Sequence, residues 1–144
     1  MSKRIIPNDT KYFHYYNANP KNKITCDCVV RALYGVLPNK TYEQIYKELL
    51  DVSIKTGHFI NSKQCYEKYL SLQGFKKMKQ PRKDDGTKYT GRDFCDEIKE
   101  YSFNYPDRIF AHIGGHHVVS IIEGRVWDIW DSTYGCIGNY YIKE

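Results

Sequence analysis

The sequence has no apolar run near the ~20 residues that a membrane-crossing helix needs. Its longest, Val118 to Ile122, is interrupted by Ser120, and the mean hydropathy is −0.66. No membrane role is expected. After Lys3 and Arg4 the chain reaches Pro7, Asn8 and Asp9 without the apolar stretch of a secretory signal, so a cytosolic location is expected. No repeat, Ser/Gly linker or low-complexity tract divides the 144 residues, and one domain over 1–144 is expected. The five cysteines (Cys26, Cys28, Cys65, Cys95 and Cys136) are odd in number, which rules out a fully paired disulfide framework; without an export signal they read as reduced thiols.

What is present is a globular composition: 41% hydrophobic and 27% charged residues, with fourteen Tyr, six Phe and two Trp. A chain of this length buries about two-thirds of the surface its unfolded form exposes. The tyrosines suit the rim of a small core or the wall of a cleft, having an apolar ring and a polar tip. The net charge of +5 is uneven, at +4 over residues 1–50, +3 over 51–100 and −2 over 101–144. The acidic last third is a weak pointer to a basic substrate. Basic density peaks at Lys76, Lys77, Lys79, Arg82, Lys83 and Lys88, yet Asp84 and Asp85 interrupt it; nucleic-acid binding through 76–92 would rest on charge alone and is not favoured.

The pattern is α+β, helical over the first two-thirds and β-rich over the last. A first helix starts after Asp27 as N-cap and runs to about Gly35, with Val29, Leu33 and Val36 as its apolar stripe. Thr41 and Gln44 have capping-box spacing ahead of Tyr42, Ile45, Tyr46, Leu49 and Leu50. A third helix covers roughly Ser62 to Gln73, ended by Gly74, and a fourth opens at Thr90 with Asp93 three residues on. Four antiparallel strands follow: Arg108 to Ile113, His116 to Ile122, Arg125 to Trp130 and Gly138 to Ile142. Gly114-Gly115 and Glu123-Gly124 read as two-residue hairpin loops, and the helices are expected on one face of the sheet.

Cys28 carries the chemistry. At the first turn of a helix the partial positive charge of free N–H groups favours a thiolate over a thiol. A nucleophilic thiolate also needs an imidazole, and a carboxylate or amide to orient that imidazole. With Glu123-Gly124 as the turn, opposed residues have numbers summing to 247, so Asp128 faces Val119 and lies diagonal to His117 on the same side of the sheet. Asp131 would then oppose His116. His117 with Asp128 is the favoured pair, and Asp131 is the alternative acid.

Four segments together resemble a known family: Asp27-Cys28-Val29-Val30-Arg31-Ala32-Leu33, Thr90-Gly91-Arg92-Asp93-Phe94-Cys95, His117-Val118-Val119-Ser120-Ile121 and Asp128-Ile129-Trp130-Asp131-Ser132. They look like a family of uncharacterised phage and prophage proteins across nearly the whole chain. The Cys and His blocks are similar in turn to papain-like cysteine peptidases, including the bacteriocin-processing type. The resemblance implies a papain-like fold, a Cys28–His117–Asp128 triad, a protein or peptide substrate and action in the cytosol of a host cell. It also implies a shielding Trp two places after the acid, here Trp130. The Gln that such enzymes place before the Cys as an oxyanion donor has no counterpart; Asn22 and Thr25 stand in that region, and the Gly-Ser-Cys-Trp context is missing as well.

Plainer readings stand beside these. Cys65, Cys95 and Cys136 read as buried apolar groups, while Cys26 competes with Cys28. Cys26-Asp27-Cys28 with His116-His117 has poor zinc spacing, so no metal and no cofactor is expected. His116 reads as a neighbour of the site, His14, His58 and His112 as ordinary, and both tryptophans as core residues, with shielding an added role for Trp130. The functional expectation is a thiol hydrolase, whether peptidase, amidase or deconjugating enzyme. Its rival is a phage-encoded binding protein or inhibitor of a host factor on the same scaffold, without turnover.

Overall fold

In the computed structural model, which describes residues 5–144, these form a mixed α+β fold of four helices and one six-stranded sheet. Lys3 and Arg4 lie outside the described residues. In chain order the elements are β1 (Phe13–Tyr15), α1 (Cys28–Val36), α2 (Tyr42–Thr56), α3 (Lys63–Leu72), β2 (Phe75–Met78), α4 (Gly91–Glu100), β3 (Arg108–Ile113), β4 (His117–Ile122), β5 (Arg125–Asp128) and β6 (Ile137–Lys143). The sheet order is β1-β5-β4-β3-β6-β2, antiparallel throughout except for the parallel pair β1 and β5.

The four expected strands are thus the middle of a sheet of six. β1 and β2 each bring one buried residue, Phe13 and Phe75, and are too short to show an alternating pattern. The helices do not share one face. Val29, Leu33 and Val36 of α1 pack with α2, α3, Phe110, Val118 and Tyr141 on one side, whereas Phe94, Cys95 and Ile98 of α4 pack with Ile109, Ala111, Val119 and Ile121 on the other. The reason is in β3 and β4, whose inner residues are apolar on both faces and so need a cover on each.

The helix starts follow local chemistry. Ser62 and Thr90 accept N–H bonds from Cys65 and Asp93, and Asp93 returns the bond to complete a capping box. Thr41 accepts from the Gln44 N–H, but the Gln44 side chain turns to Glu48, so the box expected there is half made. Tyr46 and Leu50, expected on the inner stripe of α2, are exposed, and Val52 is buried in their place.

Both hairpin loops shape the site. Glu123 and Gly124 have φ of 51° and 74°, the positive values of a primed turn, and Ser120 faces Trp127, so the expected register holds. The β3–β4 loop has three residues, Gly114, Gly115 and His116, because Ile113 pairs with His117; two were expected. His116 is therefore an exposed loop residue, and β5 ends at Asp128 rather than Trp130.

Helix α1 runs against β4 at close range. A Cβ on Gly35 would lie 2.2 Å from Ser120 Oγ and 2.5 Å from Ser120 Cβ, and the Gly35 carbonyl accepts a 2.6 Å bond from Arg108. Gly35→Ala is predicted to destabilise the fold. Forcing atoms into this contact costs about 1–3 kcal/mol, which exceeds the ~1 kcal/mol that alanine gains in helix propensity. The check is thermal melting, with ~4 °C lost per kcal/mol in a chain of this size; an unchanged or raised Tm would show that α1 does not depend on this approach.

Candidate active site

Three elements converge at one end of the sheet: the first turn of α1, the start of β4 and the end of β5. Cys28 is the first residue of α1, half-buried, and its thiol meets the imidazole of His117. His117 is the first residue of β4, where the ladder to β3 begins, while Val119 and Ile121, next on its side of the strand, pack toward α4. Its Nε2 lies 2.6 Å from Asp128 Oδ2. A carboxylate only accepts, so Nε2 carries a proton and Nδ1 is left for Cys28.

Asp128 is 1% exposed and fully engaged. Oδ1 accepts from Arg31 Nη1 and from the Ile129 N–H, both at 2.8 Å; Oδ2 accepts from His117 and, at 3.2 Å, from the Ser132 hydroxyl. Four donors fill a carboxylate's capacity, so this side chain cannot rotate without breaking a bond. Arg31 also donates from Nε to Asp27 Oδ1 at 2.8 Å, and Asp27 Oδ2 accepts from Tyr42 and Asn19. Asp27 thus occupies the N-cap position of α1 without capping it: its carboxylate is spent on Arg31 and Tyr42, and the first-turn N–H groups beside Cys28 receive no side-chain bond.

The electrostatics follow. Burial pushes the Cys28 thiol up, but the His117 imidazole, the Val118 N–H and Arg31 outweigh it and leave the thiol below its ordinary value of 9.0. Burial also pushes His117 down, and the hydrogen bonds and charges of Asp128 and Cys28 reverse this, raising it from 6.5 to about 9. Both directions favour a thiolate–imidazolium pair near neutral pH.

The other expected site residues separate. Thr25 and His116 line an open cleft of about 840 Å³ at Cys28, and Asn61 and Gln64 line it too. Asn22 does not line it; it sits in the exposed turn from Asn19, at a φ of 52°, and accepts from Asn17. Asp131 is held by Arg92 and Thr133, outside the triad's bonds. Trp130 is 49% exposed rather than in the core, and its ring lies over His117 with centroids 4.9 Å apart. Trp127 meets His14 edge-on and Tyr16 at a tilt, and His14 is paired with Asp9. Cys26 is exposed at the cleft rim, Cys65 and Cys95 are buried, and Cys136 is exposed where burial was expected. His112 lines the cleft. Among the described residues no three His, Cys, Asp or Glu side chains converge as they would around a metal ion.

Arg31, Ser132, Asn61 and Gln64 also belong to the site and are not among the residues expected there from the sequence. The Asp27–Arg31 spacing of four was a readable helical pair, but nothing local tied Arg31 to a carboxylate 97 residues on. No protein-family model matches the chain, and neither does any curated protein or solved structure.

The two titrations have opposite signs in folding. His117, raised to about 9, contributes stability below 6.5 that is lost as pH rises through 9; Cys28, lowered, contributes above 9.0 and loses it as pH falls through its folded value. Over the upper part of this range the folded pair and the unfolded pair each bind one proton, so they cancel. Cys28→Ala leaves Asp128 holding His117 up with nothing to offset it. Urea midpoints are predicted to fall from pH 6.5 to 9 by more in Cys28→Ala than in the wild type; parallel curves would mean that the two groups are not linked.

Proposed function

We propose that the protein is a small papain-like thiol hydrolase of phage type that cleaves peptide or other amide bonds in a host-cell protein or peptide. The observation that carries this is the 2.6 Å bond between His117 and a buried Asp128 that Arg31 locks from behind, with Cys28 beside His117 in the same cleft. A Cys at a helix start, a His at a strand start, an acid on the next strand and a Trp two places on give the papain-like reading its support.

The chemistry follows from the atoms present. The Cys28 thiolate attacks the carbonyl carbon, forming a C–S bond and a tetrahedral oxyanion. Uncapped N–H groups of the first turn of α1 are donors for that oxygen, with the amide of Gln64 in the cleft lining as a side-chain donor. His117 gives its proton from Nδ1 to the leaving nitrogen as the C–N bond breaks. The thioester left on Cys28 is then attacked by water, which His117 deprotonates; the C–S bond breaks and a carboxylic acid leaves. Asp128 holds the ring and the imidazolium charge throughout, and Trp130 covers the ring's outer face.

The direct test is incubation with a mixed peptide library in ¹⁸O-water. New C-termini carrying one ¹⁸O are expected with the wild type and not with Cys28→Ala, whose fold should change by less than about 1 kcal/mol. Peptides retained without new termini would support the binding-protein alternative.

The acid assignment is tested by iodoacetamide labelling of Cys28 at pH 6. Asp128→Ala should slow it most and cost about 3–5 kcal/mol, since Arg31 and His117 lose a buried counter-charge. Asp128→Asn should be intermediate, as its amide oxygen still accepts. Asp131→Ala should leave the rate unchanged and cost under about 1 kcal/mol, its Arg92 pair being a quarter exposed. A slower Asp131→Ala than Asp128→Ala would assign the acid to Asp131.

A further inference from the structure

A second depression adjoins the Cys28 cleft. It measures about 670 Å³ and lies between the segment before α1 and the face of α2, and the two share one ridge, formed by Ile24, Thr25, Cys26 and Asn61. Asn61 fastens that ridge by donating to the Cys26 carbonyl at 3.2 Å. The floor is apolar and aromatic, made of Ile24, Val30, Tyr42, Tyr46 and Ile60. Burial and the bond to Asp27 push the Tyr42 hydroxyl's pKa well up, so this wall stays uncharged at any physiological pH.

The rim is basic. Lys21, Lys23 and Lys47 surround the depression, against one free carboxylate, Glu43, because Asp27 is occupied by Arg31. Lys63 stands at the Cys28 cleft, whose lining holds no Asp or Glu. Lys40, Lys55, Lys77 and Lys83 are neutralised by Glu48, Asp51, Glu67 and Asp93, whereas among the described residues Lys21, Lys23, Lys47 and Lys63 have no ion pair; other lysines also lack one, but these four are the ones that line the two adjoining concavities. Unpaired charges of one sign beside a concave wall raise the local concentration of the opposite charge.

We propose that the site selects an acidic polypeptide segment, binding it extended across the ridge with a large apolar side chain in the Tyr42–Tyr46 depression and flanking carboxylates on Lys21, Lys23 and Lys47. This rests on the thiol-hydrolase reading, which requires an acyl carbon and so a polypeptide rather than a nucleic acid. It reverses the basic substrate to which the acidic last third pointed: the net charge of 101–144 is negative, but the depression is lined by residues 19–61 alone, and the part of the Cys28 cleft that comes from residues 112–130 holds no Asp or Glu.

The test compares fluorescent peptidyl vinyl sulfones of sequence Glu-Phe-Glu, Lys-Phe-Lys and Glu-Gly-Glu, read as rates of Cys28 modification. The acidic Phe probe should react about tenfold or more faster than the basic one at low salt, with the ratio shrinking as the ionic strength nears ~1 M. Loss of the ring should slow reaction at least about tenfold. In K21E/K23E/K47E the acidic-to-basic ratio should fall to one or invert, and in Tyr46→Ala the Phe-to-Gly ratio should narrow. Equal rates for the charged probes, or ratios unmoved by these variants, overturn the proposal; if iodoacetamide still labels Cys28 at pH 6, the hydrolase reading survives that result. A Cys28 inert to iodoacetamide and to all three probes overturns both. Protection of Cys28 by an oligonucleotide and not by a Glu-Phe-Glu peptide would overturn the substrate class.

Discussion

The ion pair between Arg31 and Asp128 is the constraint on which the site depends. It joins the middle of α1 to the last residue of β5 and is almost entirely out of water, with side-chain exposures of 9% and 1%. Isolated, each charge would cost several kcal/mol to bury. Here each has further partners: Arg31 takes Asp27, and Asp128 takes His117, Ser132 and the Ile129 N–H. The pair therefore fixes the helix relative to the sheet, and that relation brings a thiol and an imidazole together.

The same network redirects a capping residue. An Asp before a helix ordinarily accepts from the first-turn N–H groups, worth about 1 kcal/mol. Asp27 accepts from Arg31, Tyr42 and Asn19 instead. The helix gives up a stabilising cap, and its positive end stays open toward the thiolate, which its dipole favours. Local stability is exchanged for an electrostatic field at Cys28.

Much of this was legible in the sequence where a local rule dominates. The Glu123-Gly124 turn fixed the β4–β5 register, and with it the His117–Asp128 diagonal; Ser62 and Thr90 marked their helix starts. The length of the β3–β4 loop is not legible locally, because Gly114, Gly115 and His116 are all acceptable turn residues and only pairing across the sheet decides among them. The cover on both faces was readable in principle: Ile109-Phe110-Ala111 and Val118-Val119 are apolar without alternation, the mark of a strand buried on both sides. Edge strands β1 and β2 lack any periodicity to read. The contacts of Arg31 and Gln64 with the site are long-range and belong to the tertiary fold alone.

Sequence separation gives the triad a consequence for synthesis. Cys28 is made early, whereas His117 and Asp128 arrive about ninety and one hundred residues later, and β5 must settle between β4 and β1 before Asp128 is enclosed. Contacts this distant form late, because loop closure precedes their reward. A nascent chain on the ribosome accordingly carries an ordinary protonated cysteine at position 28. That thiol is shifted toward the thiolate only when the last third of the protein has folded onto the first.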